Sequence, residues 1–358
     1  MLPPRWLRRV VLAPGVVLLT VTILTTMPLL AIAAAFVSPF IPGRWRPLRL
    51  LWFVLLYLAI ESVALLAAFG LWLATAFGTR VDEPWSQRAH YRVLRWALGW
   101  IVRDACRVFN VRFDAPDLDP ALDRDPRTSE PMPLIVLSRH AGLGDSFLLV
   151  YELLRGGQRP RIVLKDALQW EPLVDVMLTR LPSQFVGSGT RGESARTAIA
   201  TLAGTMRPGD ALVLFPEGRN FTPDRRRRSI ARLEELGEHA EAERARMLRH
   251  VLAPRPGGTL AALDAAPGAD VVFVAHTGLE QLSSLVDIWR GLPMDSVVSI
   301  MTWRVPAASI PASVEDRKRW LDDWFLQIDA WILERRGPDA VPDAVIEELE
   351  QADPPVAG

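Results

Sequence analysis

The residues whose types and spacing could do chemistry together are His140 and Asp145, five positions apart in Ser138-Arg-His-Ala-Gly-Leu-Gly-Asp145. An imidazole beside a carboxylate is the pairing of a general base with the group that fixes its tautomer. The run before them, Pro133-Leu-Ile-Val-Leu-Ser138, is short and β-rich and ends where polar residues and glycines begin, which predicts a buried strand. The run after, from Asp145 through Arg155, predicts a helix with Asp145 near its N-cap. The base then stands at the C-terminal edge of a strand, where α/β proteins place their ligands. An H-x4-D spacing is common by chance, so its meaning rests on the rest of the chain.

Two more loops follow predicted strand ends. Phe185-Val-Gly-Ser-Gly-Thr-Arg-Gly-Glu193 opens a helix. It exposes N–H groups suited to a phosphate, with Arg191 as a clamp, or it is a plain strand-to-helix turn. No Gly-Lys-Ser/Thr follows, so it is not a Walker loop. Phe215-Pro-Glu-Gly-Arg-Asn-Phe-Thr-Pro-Asp224 leaves Glu217, Gly218 and Arg219 at the mouth of the sheet. A carboxylate left there implies that something binds.

The elements that must position these loops alternate along the chain. Strands are predicted at 134–138, 161–164, 184–187, 211–215, 271–276 and 296–303, with helices between them, notably 172–180 and 194–206. This order predicts an α/β fold with a largely parallel sheet flanked by helices. Residues 83–336 form that domain. A helix candidate at 90–109, rich in Trp and Arg, lies along a membrane surface or packs on the domain. Residues 114–132 read as a loop, and the acidic, Pro-rich 337–358 as a disordered tail. The amphipathic 313–336 packs on the sheet or rests on a membrane, the former being favoured.

Residues 1–82 predict an N-terminal two-helix membrane hairpin. The apolar stretches 10–36 and 50–77 are each long enough to cross a bilayer, which takes about 20 residues. Pro14 and Pro28 would kink the first. Arginines lie before, between and after the stretches, so the charge rule does not place the link outside. The hairpin crosses fully or dips into one leaflet and returns. Both put the catalytic domain on the cytoplasmic face of the inner membrane. Glu61, within the second stretch, is read as a packing group or one that keeps its proton.

Charge is balanced at 41 basic and 41 acidic residues, so no global field argues for nucleic acid. The single cysteine, Cys106, excludes an intramolecular disulfide framework and is read as structural. Five histidines and one cysteine supply no plausible zinc set. His276 and His250 are expected in structural roles, His90 and His239 at the surface. Arg225 to Arg228 read as a solvated basic run or a contact for anionic groups.

Taken together, the three loops resemble the glycerolipid acyltransferases, the 1-acylglycerol-3-phosphate acyltransferase family. Ser138-Arg-His-Ala-Gly-Leu-Gly-Asp145 resembles its N-H-x4-D motif, and Phe215-Pro-Glu-Gly218 its F-P-E-G-T-R motif. Lys165-Asp-Ala-Leu168 with Pro172 is similar to the K-x2-L…P segment, and 185–191 approaches F-x2-R-x2-R. The segment 248–258 and the tail 310–332 look like the branch of lysophospholipid and lysocardiolipin acyltransferases. Two positions depart: Ser188 stands where the second motif's first Arg is expected, and Arg219 is displaced by one.

The resemblance implies a membrane-bound acyltransferase that moves a fatty acyl group from a thioester of coenzyme A or acyl carrier protein to a lysolipid hydroxyl. The implied acceptor is 1-acylglycerol-3-phosphate. His140 is then the general base and Asp145 its orienter. Arg191, Glu217, Gly218 and Arg219 serve the acceptor and its phosphate. No cofactor or metal is implied. Another lysolipid acceptor, or a non-catalytic membrane-anchored lipid binder, are the alternatives.

Overall fold

A computed structural model describes residues 2–114, 132–142, 144–187, 192–280 and 289–336. Its centre is a seven-stranded sheet in the order β1-β7-β6-β2-β5-β3-β4. The strands are β1 (Arg112–Asp114), β2 (Leu134–Ser138), β3 (Arg159–Lys165), β4 (Ser183–Val186), β5 (Asp210–Leu214), β6 (Asp270–Thr277) and β7 (Val297–Val305). Every pairing is parallel except β6 with β7. The predicted strands are all present, within two residues at each end. The three-residue β1, too short to carry a pattern, was not foreseen.

β2 runs between β5 and β6, and all five of its residues are buried. A strand covered on both faces reads as a continuous apolar run, as Leu134-Ile-Val-Leu does. Its side chains alternate between two cores. Ile135 and Leu137 join Leu212, Val271 and Phe273 under the helices Glu193–Gly204, Pro256–Ala265 and Val314–Arg336. Leu134 and Val136 meet Leu149 and Leu153 of the helix Asp145–Arg155 on the other face.

The helix Val314–Arg336 packs on the sheet, as favoured from sequence. Leu321, Phe325, Ile328 and Ile332 are buried at helical spacing, and Trp324 stacks on Phe273 with ring centroids 4.5 Å apart. Residues 115–131 and the tail 337–358 lie outside the described residues, so neither expectation for them is met or failed.

The N-terminal helical run Arg5–Phe40 and the helix Arg46–Ala74 are both long and apolar enough to cross a membrane. The run continues through Pro14 and Pro28, with a π-helical stretch, Arg8–Leu12, just before Pro14. The two pack together, joined midway by a 2.8 Å contact between the Thr20 and Ser62 hydroxyls. They do not stand clear of the domain. At the open end Arg8 reaches Asp175 at 2.9 Å and Gln169 at 2.6 Å, both buried. At the turn, Arg46 donates to the carbonyls of Leu292 and Arg290 at 3.0 Å each. Between those ends Ile60, Ala64 and Ala68 pack against Leu173 and Met177. Buried Glu61 thus sits at a helix–domain contact, in keeping with a packing role.

His90 is a correction. It was expected at the surface but is fully buried in the helix Pro84–Phe109. The polar neighbours Gln87, Arg88 and Arg92 make a surface position plausible, yet its Nδ1 lies 2.8 Å from the Ser86 carbonyl and its Nε2 3.4 Å from Arg180. Burial pulls its pKa down, so the fold holds it neutral. His239 is exposed as expected.

Candidate active site

The loop after β2 carries the site because the strand ends at Ser138 and the next helix begins only at Asp145. Asp145 is the first helical residue, with Gly144 as the N-cap, and its side chain turns back into the loop. Oδ2 accepts from the backbone N–H of Ala141 at 2.7 Å, from that of Gly142 at 3.0 Å and from His140 Nδ1 at 2.9 Å. Oδ1 accepts from the Ser146 hydroxyl at 3.2 Å. One buried carboxylate therefore shapes the loop and orients the ring. Burial alone would raise its pKa; the His140 bond, the neighbouring His276 and the loop amides outweigh that and hold it below the ordinary range.

With Nδ1 donating to Asp145, the lone pair of His140 lies on Nε2. The His140 side chain keeps 26% of its surface exposed while Asp145 keeps 1%, so the base can be reached and its partner cannot. Phe215, at the end of β5, lies against the imidazole with ring centroids 4.7 Å apart.

The loop after β5 is fastened to the loop after β2. Phe221 N–H donates to the His140 carbonyl at 2.9 Å. Glu217 is buried, and its two oxygens each accept a backbone N–H at 2.7 Å, one from His140 and one from Leu252. Burial pushes its pKa up to about 7, against the pull of Arg139 and these two amides. Glu217 thus holds three loops together, where the sequence suggested direct service to an acceptor. Gly218 and Arg219 are exposed beside it, and Gly218 takes a φ of +70°, which favours glycine. Arg191 and Ser188 lie outside the described residues, so the clamp expected of Arg191 is not placed.

Sequence reasoning missed Arg139 and Arg255 here and gave His276 a core role without placing it beside the pair. Arg139, fully buried beneath the pair, donates to the His276 carbonyl at 2.6 Å, Glu280 at 2.8 Å and the His250 carbonyl at 3.1 Å. A charged residue at the end of a buried strand was the available signal. Its guanidinium holds Glu280 down at about 2, against the effect of burial. His276, expected in the core, is buried, with Nε2 3.8 Å from Asp145 Oδ2, the oxygen that also accepts from His140. Arg255 is exposed and lies over Gly218, where a Cβ would meet its guanidinium at 3.5 Å. Its spacing from His140 in the chain hid it. The basic run is also more divided than expected: Arg226 is buried, donating to the carbonyls of Leu248 and Arg246, while Arg227 and Arg228 are exposed. Burial pushes the Cys106 thiol up to about 11, in line with a structural residue.

A base oriented by a carboxylate, at the edge of a parallel sheet, with a second strand-end loop tied to it, now meets an independent comparison. The family model described as Acyltransferase matches residues 123–274. Over those residues the chain matches an acyltransferase family, in keeping with the glycerolipid acyltransferase resemblance of its three loops. The match takes in β2 through most of β6 and with them His140, Asp145 and Glu217. The two apolar N-terminal helices and the helix Val314–Arg336 lie beyond the match. No curated protein matches the chain significantly.

Proposed function

We propose that the protein is a membrane-bound O-acyltransferase that esterifies the free hydroxyl of a lysolipid, with 1-acylglycerol-3-phosphate as the acceptor. The observation that carries the reading is the 2.9 Å bond from His140 Nδ1 to buried Asp145, inside an acyltransferase-family domain. His140 Nε2 takes the proton of the acceptor hydroxyl as its oxygen attacks the thioester carbonyl of acyl-CoA or an acyl-loaded carrier protein. The tetrahedral adduct then collapses to ester and thiolate, and the imidazolium returns the proton to sulfur. Asp145 stabilises that imidazolium, so no protein nucleophile and no metal enter the scheme. Arg219 and Arg255, both exposed at the Gly218 turn, would meet the acceptor's phosphate, with Arg191 as a third candidate.

The apolar helices give this chemistry its place. They touch the domain at both ends, which supports a hairpin lying in one leaflet on the cytoplasmic face of the inner membrane over one that crosses it. Both acyl chains can then remain in lipid.

The test is transfer of a labelled acyl group from acyl-CoA or acyl carrier protein to a panel of lysolipids, beside His140→Ala. The variant should lose about 10²–10⁴ of turnover. Transfer to a different lysolipid alone would keep the mechanism and change the acceptor. Absence of transfer to every acceptor would favour a lipid binder without chemistry.

A further inference from the structure

The helix Pro84–Phe109 presents a one-sided surface. Past its first residue, Pro84, its exposed side chains are Trp85, Trp96 and Trp100, with Arg88, Arg92, Arg95, Arg103 and Arg107. Its one acidic residue, Asp104, is turned inward and buried, bonded to Trp52 at 3.0 Å. At about 100° per residue, Trp85, Arg92, Trp96, Arg103 and Arg107 fall within roughly 60° of one another. The opposite side, with Ser86, His90, Ala97 and Val108, is buried.

Three tryptophans about 40% exposed on one helix face are out of place in water. They suit the boundary between headgroups and acyl chains, where an amphipathic ring has both media. Arg103 lies over Trp100, 4.9 Å from the ring centroid, so the guanidinium and the indole form one surface. The face is also continuous with the apolar hairpin. A groove of about 510 Å3 joins them, lined by Met27, Trp45, Leu48 and Trp52 from the hairpin and by Arg107 and the Trp52-bonded Asp104 from this helix.

We infer that the outward face of the helix Pro84–Phe109 is an interfacial docking surface for anionic lipid headgroups. It rests on the reading of the apolar helices as a membrane hairpin, and it is independent of acyl transfer. The hairpin supplies attachment to any bilayer. The five arginines add a charge-selective contact that turns the domain toward anionic lipid, and the tryptophans set its depth.

The experiment is flotation of the full chain with vesicles of phosphatidylcholine alone or with about 30% phosphatidylglycerol. The wild-type chain should bind the anionic vesicles at least about tenfold better, and the preference should shrink as salt rises. Replacing Arg88, Arg92, Arg95, Arg103 and Arg107 by Gln should remove the preference and leave binding to phosphatidylcholine. Replacement of the same five by Lys should retain it, which separates charge from folding. Equal wild-type binding to both vesicles, or a Gln variant that keeps the preference, would overturn the inference. Binding to neither would overturn the hairpin reading with it, while acyl transfer to micellar lysolipid tests the chemistry separately.

Discussion

His140 and Asp145 form a unit because the loop between them is folded around the carboxylate. Asp145 Oδ2 holds two loop amides as well as the ring, so a change there alters both the tautomer and the loop. Asp145→Asn can present an amide N–H to Nδ1, which moves the ring proton to Nε2 and removes the base. Turnover should fall to within about tenfold of the His140→Ala level, measured at saturating acceptor with circular dichroism to confirm the fold. On the proposed function Arg255 would serve recognition rather than proton transfer. Arg255→Ala should raise KM for a phosphate-bearing acceptor about tenfold or more with a smaller change in kcat, and steady-state kinetics across acceptors would show it. A KM that stays constant would remove Arg255 from the phosphate site.

At the scale of elements, the site loops are held from behind by carboxylates that accept backbone N–H groups. Glu217 ties the loop after β2 to the segment near Leu252. Asp329, on the helix Val314–Arg336, accepts the N–H groups of Arg249, His250 and Val251 through Oδ1 at 3.0, 2.6 and 3.1 Å. The last helix therefore does more than cover the sheet: it fixes the segment that leads into Arg255. Asp329→Ala strands three amide donors, each costing roughly 1–3 kcal/mol if buried. The variant should lose about 3 kcal/mol or more in urea unfolding, and Asp329→Asn, which keeps an acceptor oxygen, clearly less. The helix itself was legible in the sequence through its apolar spacing. The clamp was not, because Asp329 and His250 lie far apart in the chain.

At the scale of the whole molecule, buried titratable groups set how stability follows pH. Burial, with Arg139 nearby, holds His276 and His250 neutral, each with its pKa drawn down from 6.5 to about 4. As pH falls below 6.5 the unfolded chain takes up these two protons before the folded chain does, so stability is lost between 6.5 and 4. Glu217 acts in the opposite sense: its pKa rises from 4.5 to about 7, so the folded state gains stability as pH falls through that window. His90, also held neutral by burial, adds to the loss, and Asp329, whose carboxyl burial raises, adds to the gain, so the contribution of one group is read by difference. Replacing His276 by Gln should flatten the fall in thermal midpoint, measured in detergent, between about pH 7 and about pH 5, and an unchanged slope would contradict this role.

The sequence by itself determined what local chemistry can determine. Short apolar runs marked six strands, most plainly β2, β5 and β6, which are buried along their whole length and therefore read as nearly continuous apolar stretches. His140, Asp145 and the Glu217 turn declared themselves because the chain places each directly after such a strand. Long-range contacts decided the rest. Only the packed structure brings His276 within 3.8 Å of Asp145, Arg139 onto the His276 carbonyl, and Arg255 over Gly218. Likewise, two apolar stretches of sufficient length read alike whether they stand upright in a bilayer or lie against a domain. Arg8 on Asp175 at one end and Arg46 on Leu292 at the other tie both stretches to the domain, and an ion pair and a carbonyl bond between distant segments leave no trace in local spacing.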